Sequence, residues 1–487
     1  MQGQEQSESE LLQNRREKLE ALRAKGIDPF GGRFDTTHQP GALRKEFVPD
    51  LSVQIAGRIT ASRTMGKAVF FDLSDFTGRI QCYVNKKEVG DDVFILITEL
   101  LDIGDWLGVV GKTFVTKTGE PSVQVETMSV QGKSLRPLPD KYHGVQDREI
   151  KYRQRYLDLI SNPRSLDIFV TRSLIIAEMR RWMQDRGFLE VETPMMQDVP
   201  GGAAAKPFET FFHALNQPMY LRIAPELFLK RLLVGGFTKI FEMNRNFRNE
   251  GVSRRHNPEF TMMEAYWAFS DFEQMADLVE SLVCHLAEKF CGTLLIEHKD
   301  DEGTVTRTIN LARPWKRTPY RELIRGVAGE NWFDLSNEQK KARCAELGVE
   351  VSPHMEDYEV SQQVFEKLIE EKSFDPLFVT HVPKELVPLA KQNTSDDSVV
   401  DVYELVINGV EISPGYSELN DPIVQRDRLE HQAGEETQKL DEEFLLALEY
   451  GMPSAGGIGI GIDRLVMMLT GAESIRDVVL FPQLKRK

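Results

Sequence analysis

Between residues 51 and 131 apolar and polar positions alternate in five short runs, VQIAGRI, AVFFDLSD, GRIQCYV, DWLGVVGKTFVT and SVQVETMSV. Period-two alternation rich in β-branched and aromatic residues predicts strands, and the turn signals DFTG and KTGE separate them. Five strands in about 80 residues predict a small Greek-key barrel. Such barrels often bind single-stranded nucleic acid on one strand face. Phe70, Asp72 and Gln81 would then present stacking and polar groups, unless Phe70 and Phe71 simply fill the barrel core. Ahead of this segment, residues 1–10 are polar and predict disorder. Leu11, Leu12, Leu19 and Leu22 fall at helical spacing over 11–25, with Gly26 as a stop. That helix holds five basic and two acidic residues from Arg15 to Lys25, which suits either a solvated face or an arm touching a phosphate backbone.

Residues 132–145 are rich in Pro and Gly without an apolar period and read as a linker. The rest mixes helical and strand patterns. The division expected is an N-terminal extension with a basic helix (1–50), a barrel (51–131), a linker (132–150) and a large α+β domain (151–487). An acidic helical stretch at about 320–390 reads as an insertion.

Three stretches of the large domain carry chemistry. In KIFEMNRNFRNEGVSRRHNPEFTMMEAYWAF, two strands flank a polar loop. Parity puts Glu242, Asn244, Asn246 and Arg248 on one face of the first strand, and Phe260, Met262, Glu264 and Tyr266 on one face of the second. That mixture suits a polar pocket with one stacking surface, or a solvated sheet face. In VYELVINGVEISPGYSELND, Asn408-Gly409 is a strong two-residue hairpin signal. The hairpin pairs Val406 with Glu411 and puts Glu404 diagonal to Glu411 at ~7–8 Å. Two carboxylates that close call for a cation such as Mg²⁺ carrying a polyphosphate. Pro414-Gly415 is expected to form a bulge that re-aims Tyr416 and Glu418. In GGIGIGIDRLVMML, Gly456, Gly457, Gly459 and Gly461 permit close backbone approach, and a helix opening at Ile462 puts Arg464 in its first turn. That arrangement favours a bound anion, or close helix–sheet packing with a surface Arg. The spacing is not that of a dinucleotide fold, and no phosphate-binding P-loop is present.

The formal net charge of −16 excludes a uniformly basic nucleic-acid binder. It hides local basic stretches: residues 131–186 hold 12 Lys/Arg against 7 Asp/Glu, and residues 206–255 hold 9 against 4, whereas 429–449 carries seven acidic side chains. Cys82, Cys284, Cys291 and Cys344 show no C-x-x-C spacing, which points away from disulfides and toward a reducing cytoplasm. No apolar run reaches the ~20 residues that span a bilayer, so no membrane partner is expected.

Together the motifs resemble the class II aminoacyl-tRNA synthetases. RGFLEVETPMM (186–196), with Pro194, resembles motif 1, which forms a homodimer interface; FRNE (247–250) through Phe260 resembles motif 2; GIGIDR (459–464) resembles motif 3. The order of barrel, linker and catalytic domain resembles subclass IIb. LRPLPDKYHGVQDREIKYRQRYLDLISN, PGGAAAKPF, YLRIAPELFLKRLLVGGF and SELNDP resemble the bacterial lysine-specific members, over about residues 11–485.

The resemblance implies an OB-type anticodon-binding barrel followed by a catalytic domain built on a mostly antiparallel sheet flanked by helices. It implies ATP, L-lysine and tRNA(Lys) as partners and Mg²⁺ as cofactor. Arg248 would hold the α-phosphate and Arg464 the γ-phosphate, as the two catalytic residues. Glu250, His256, Asn257 and Phe260 would complete the ATP site, Phe260 by stacking on adenine, and Glu404 and Glu411 would hold Mg²⁺. Gly202 and Glu226 would face the α-amino end of lysine, with Glu264, Tyr266 and Glu418 at its ε-ammonium and Tyr416 lining the pocket. Phe70, Gln81 and Glu126 would read the anticodon. The family usually has Asn in the place of Pro414. A pocket for aspartate would need positive charge, and one for asparagine has no use for two carboxylates, so Glu264 and Glu418 oppose both. A protein-modifying paralogue would not need the barrel, and an inactive scaffold would be expected to lose one of Arg248, Arg464, Glu404 and Glu411.

Overall fold

The structure, a computed structural model, describes residues 2–139, 145, 147–300, 302–430 and 440–485, with backbone alone for 2–8. The chain forms two compact units, residues 1–166 and 167–487. Much of the expected linker and of the acidic run 429–449 (residues 140–144, 146 and 431–439) lies outside the described residues.

In the first unit, helix α1 spans Gln2–Ala24, so the polar start is helical where disorder was expected. Its Gln and Glu residues are good helix formers and extend a helix nucleated by the leucines behind them. Leu19 and Leu22 are buried. Arg15 donates to the carbonyls of Ser134 and Ile103, and Lys18 pairs with Asp102, so these two cations are spent on packing and are not offered to a phosphate backbone. Five strands follow: β1 (Ser52–Met65), β2 (Ala68–Asp75), β3 (Gly78–Asn85), β4 (Trp106–Val115) and β5 (Pro121–Gly132). They close into a barrel in the order β1-β2-β3-β5-β4. Val69, Phe71, Leu73, Ile80, Cys82 and Val84 fill its interior. Alternation therefore turns Phe70 outward, where it packs on Tyr83 at 4.9 Å between ring centroids. Phe114 continues the row at 5.7 Å from Tyr83.

The second unit is built on an eight-stranded sheet. Its strands are β6 (Leu189–Glu190), β7 (Lys239–Phe247), β8 (Glu259–Ala268), β9 (Lys316–Pro319), β10 (Leu377–Thr380), β11 (Val402–Ile407), β12 (Val410–Ser417) and β13 (Ala455–Gly461). The order is β9-β10-β11-β12-β13-β8-β7-β6. Only the two outermost pairings are parallel, so the sheet is mostly antiparallel. One face packs on the long amphipathic helix Phe272–Cys291 and on helix Ile462–Thr470, which bury Met275, Val279, Leu282, Leu465 and Val466 among Phe241, Tyr403 and Ile460. Over β10–β12 the other face is covered by helices Tyr320–Ala328 and Asp357–Leu368, whose Tyr320, Val360 and Val364 meet Val379, Val402 and Val406.

The Asn408-Gly409 hairpin forms as expected, with φ of 59° and 69° at the two turn residues. Val406 pairs with Glu411, but the register then shifts: Leu405 faces Ser413 and Glu404 faces Pro414. The irregularity thus sits at Ile412 and not at Pro414-Gly415, which pair regularly with Glu404 and Tyr403. Pro414 faces Glu404 without disturbing the ladder, because a strand residue whose N–H points away from its partner loses nothing when it is proline.

Candidate functional site

Beside helices Tyr320–Ala328 and Asp357–Leu368 the same face of the sheet carries polar side chains in register from β12 across to β7. Glu242 lies opposite Glu264, Asn244 opposite Met262 and Asn246 opposite Phe260. Glu264 faces Gly459, Tyr266 faces Gly457, and Gly457 faces Tyr416. Alternation aims all of them to one side. Glu242, Asn244, Asn246, Glu264, Tyr266 and Glu418 are buried, so this is a pocket floor and not a solvated face. The side-chain oxygens of Asn244 and Asn246 have no hydrogen-bond partner among the described residues, nor do Arg248 Nε and Asn257 Oδ1. Buried polar atoms left unanswered in a cleft mark a place for a polar ligand.

One end of the floor opens into a cavity of about 300 Å³ bounded by Arg248, Arg255, His256, Phe260, Glu411 and Arg464. Glu250, Asn257 and Pro414 also border it. The Arg248 guanidinium lies 5.2 Å from the Phe260 ring centroid. Arg464 stands in the first turn of helix Ile462–Thr470, donates to the Glu411 carbonyl at 2.8 Å and meets His256 Nε2 at 3.1 Å. Arg255 donates to the Gly409 carbonyl at 2.6 Å. Burial, then the cations of Arg464, Arg248 and Arg255, push the His256 pKa below its ordinary value. Three guanidinium groups and a helix N-terminus around one cavity, with an aromatic face beside them, suit a polyphosphate joined to a flat base.

At the edge of this cavity lies a cluster of carboxylates. Burial, followed by repulsion from Glu411, Glu370 and Glu366, raises Glu404 to about 8. Burial and Glu411 raise Glu370 to about 7, although Glu370 also accepts the Glu411 N–H at 3.0 Å. The diagonal pair Glu404 and Glu411 therefore interacts despite the shifted register. Among the described residues no three His, Cys, Asp or Glu side chains converge as a ready metal site. The donor set is two mutually repelling carboxylates with room for other oxygens, as Mg²⁺ needs when phosphates complete its shell.

The other end is a closed acidic pocket. Glu264 is raised to about 8, first by burial, then by Glu226 and Glu242. Its partner is the Tyr266 hydroxyl, which donates to it at 3.3 Å. Glu242 is already answered by Arg222 at 2.6 Å and by Thr193 at 2.7 Å. Glu418 is raised to about 7 by burial in spite of Lys230. The Tyr416 hydroxyl is pushed well above its usual value by burial and by Glu226 and other nearby carboxylates. Gly202, at φ 85°, allows the chain to pass so near Glu226 that a Cβ would stand 3.0 Å from the Glu226 Cβ. Of the residues predicted for this pocket, Glu226, Glu264, Tyr266, Tyr416 and Glu418 form one mutually interacting set, with Gly202 against Glu226.

On the barrel, Phe70 is half-buried in the aromatic row. Gln81 is largely buried, and its amide donates to Ser122 Oγ at 3.3 Å. Glu126 is exposed and is the extra residue of a β5 bulge, since Val110 pairs with Thr127 and Gly111 with Val125.

Several participants escaped the sequence reading. Lys230 had one signal, its i,i+4 spacing from Glu226 on a helix whose only other polar residue is Arg231. Tyr83 and Phe114 share the outward parity of Phe70. Glu370 had no local signal, because it reaches the site from the helical segment near 320–390.

A profile of the tRNA synthetases class II (D, K and N) matches residues 147–485, and one of the OB-fold nucleic acid binding domain matches residues 53–131. The chain belongs to the class II tRNA synthetases of the D, K and N group. It is similar over its length to proteins named lysine--tRNA ligase. The one from Pelotomaculum thermopropionicum is 49% identical, over 99% of this chain and 96% of its own. Those from Carboxydothermus hydrogenoformans and Bacillus subtilis are 49% identical over 98% of each chain and 47% identical over 100% of each.

Proposed function

We propose that this chain is a lysine–tRNA ligase: it activates L-lysine with ATP to lysyl-adenylate and transfers the lysyl group to the 3′-terminal adenosine of tRNA(Lys). The observation that carries this reading is the buried acidic pocket of Glu226, Glu264 and Glu418 beside an arginine-lined cavity. A buried ammonium needs such carboxylates, whereas an aspartate side chain would be repelled by them.

Phe260 and Arg248 hold adenine and the α-phosphate region, Arg464 the departing pyrophosphate, and Glu250, His256 and Asn257 line the remainder of the ATP site. Glu404 and Glu411 would hold Mg²⁺, which would supply charge neutralisation on the phosphates. Gly202 and Glu226 face the α-amino end of lysine, Glu264, Tyr266 and Glu418 its ε-ammonium, and Tyr416 the methylene chain. The lysine carboxylate attacks the α-phosphorus in line; no protein nucleophile is needed. Positioning and electrostatic stabilisation supply most of the rate. Pro414, at the cavity wall, supplies no side-chain amide.

The barrel reads the anticodon through Phe70, with Gln81 and Glu126 near it. The half-exposed row Phe70–Tyr83–Phe114 supports this, since bases stack on such surfaces. A homodimer through the motif 1 segment is supported by the exposed Leu189, Met195 and Met196 with Phe211 and Phe212, an apolar set costly to leave in water. Among the described residues no helix is long and apolar enough to cross a membrane, and we place the enzyme in the cytoplasm with its tRNA. ATP–pyrophosphate exchange driven by lysine, and charging of tRNA(Lys), test the proposal; exchange driven by aspartate or asparagine alone would overturn it.

A further inference from the structure

Helix Glu226–Val234 brings a lysine of the protein itself into the acidic pocket. The Lys230 side chain is fully buried. Its Nζ donates to Glu226 Oε1 at 2.8 Å and to the Leu389 carbonyl at 3.3 Å, and lies 2.5 Å from Glu418 Oε2. The last contact is a close ion pair, so one ammonium ties Glu226 to Glu418. Lys230 therefore answers two of the pocket's three carboxylates, while among the described residues Glu264 hydrogen-bonds only with the Tyr266 hydroxyl.

We propose that Lys230 is a positioning and specificity-determining residue, a resident cation that ties Glu226 to Glu418 and keeps both aimed, so that the pocket is left ready for the ammonium of the substrate side chain. The inference rests on the lysine-activating reading above. Three carboxylates enclosed without a cation would repel one another and take up protons, which an incoming lysine would have to displace. With Lys230 in place, three carboxylates face one ammonium, so the pocket stays net negative, and Glu264, which Lys230 does not reach, marks where the new cation sits. Burial alone would pull the Lys230 ammonium toward neutrality; Glu226 and Glu418 outweigh it and hold it charged. The other titratable groups facing this ion cluster are Tyr266 and Glu264 from β8 and Tyr416 from β12. The adjacent Arg231 is taken by Asp441.

The test compares Lys230→Met with the unmodified full-length enzyme in ATP–pyrophosphate exchange. The expected result is a KM for lysine raised about tenfold or more, since an unpaired buried carboxylate is strongly unfavourable, with the KM for ATP within about twofold of the original. A merely structural lysine would lower the amount of folded enzyme and leave both KM values alone, and a folded variant with unchanged lysine KM overturns the inference. Should the variant not fold, proton release on lysine binding to the unmodified enzyme decides, read by calorimetry near pH 7.5 in buffers of different ionisation heat. A resident cation leaves Glu264 as the main source and predicts about one proton or fewer; release of two or more overturns the inference. Failure of lysine to drive exchange in the unmodified enzyme would instead overturn the functional reading.

Discussion

A methyl group at position 457 would stand inside the acidic pocket. Built on Gly457, a Cβ lies 1.9 Å from Glu418 Oε1 and 2.8 Å from Cε1 of the Tyr266 ring. Comfortable non-bonded contact needs ~3.5 Å, so the carboxylate would have to retreat by roughly 1.5 Å. It is not free to do so, because Lys230 grips its other oxygen at 2.5 Å. The Gly457 φ lies outside the left-handed region, so Gly457→Ala acts through this clash and not through backbone strain. Overpacking of this kind costs ~1–3 kcal/mol of stability. Moving a substrate-positioning carboxylate by ~1 Å costs on the order of 100-fold in rate. Gly457→Ala should therefore lower kcat/KM for lysine in ATP–pyrophosphate exchange about 100-fold and leave the KM for ATP near its original value. Gly459→Ala is the control, because its Cβ crowds only the flexible end of Met262, at 2.9 Å, with Glu264 Cγ and Pro414 Cγ at an ordinary 3.9 Å, and should cost less than about threefold. A folded Gly457→Ala enzyme within about threefold of the parent would refute the account of how this pocket is built.

Other consequences are open to direct measurement. Removing the charge of Arg464 by Arg464→Ala should depress exchange on the order of 100-fold or more and let the His256 pKa move back toward its ordinary value, which an NMR titration reads; an unmoved His256 would contradict the packing of the cavity. Phe70→Ala should lower kcat/KM for tRNA(Lys) by about 5- to 150-fold, the range for one lost base stack, without touching lysine-dependent exchange, and unchanged charging would remove Phe70 from the anticodon surface. Glu264 and Glu404 at about 8, and Glu370 and Glu418 at about 7, all lie above the ordinary carboxylate value of 4.5. Between those values the folded chain keeps protons that the unfolded chain has released, so stability falls as pH rises from about 4.5 to about 8. The thermal midpoint of the catalytic unit should accordingly be higher at pH 5.5 than at pH 8, with lysine and Mg-ATP narrowing the gap; a midpoint that rises with pH would contradict the burial of these groups.

What could be read from the chain depended on how local the physics was. Strands of the barrel announce themselves because alternation and turn chemistry act within a few residues. The same parity placed Glu242, Asn244 and Asn246 beside Phe260, Met262 and Glu264, and the structure pairs them across one ladder. Helix Ile462–Thr470 begins where the glycine run predicts. Parity alone left open whether Phe70 is core, and closure of the barrel settles it by giving the interior to Phe71. The bulge was misplaced by two residues because a proline in a strand suggests an irregularity without saying on which side of the ladder its missing donor falls. Lys230 meets Glu418, and Glu370 meets Glu411, only after segments far apart in sequence converge on the sheet, so no short window contains those pairs, although Glu226 lies one turn before Lys230. Arg15 and Lys18 look like any basic helix face until Ser134, Ile103 and Asp102 are seen against them.

As proposed above, a pocket of buried carboxylates selects a cationic amino acid beside an ATP site. ATP–pyrophosphate exchange with purified enzyme, run in parallel with lysine, aspartate, asparagine and the uncharged analogue norleucine, tests it most directly. Exchange should be driven by lysine, with norleucine weaker by 100-fold or more, since it leaves buried carboxylates unanswered. Exchange supported equally by norleucine, or by aspartate or asparagine in place of lysine, would contradict it.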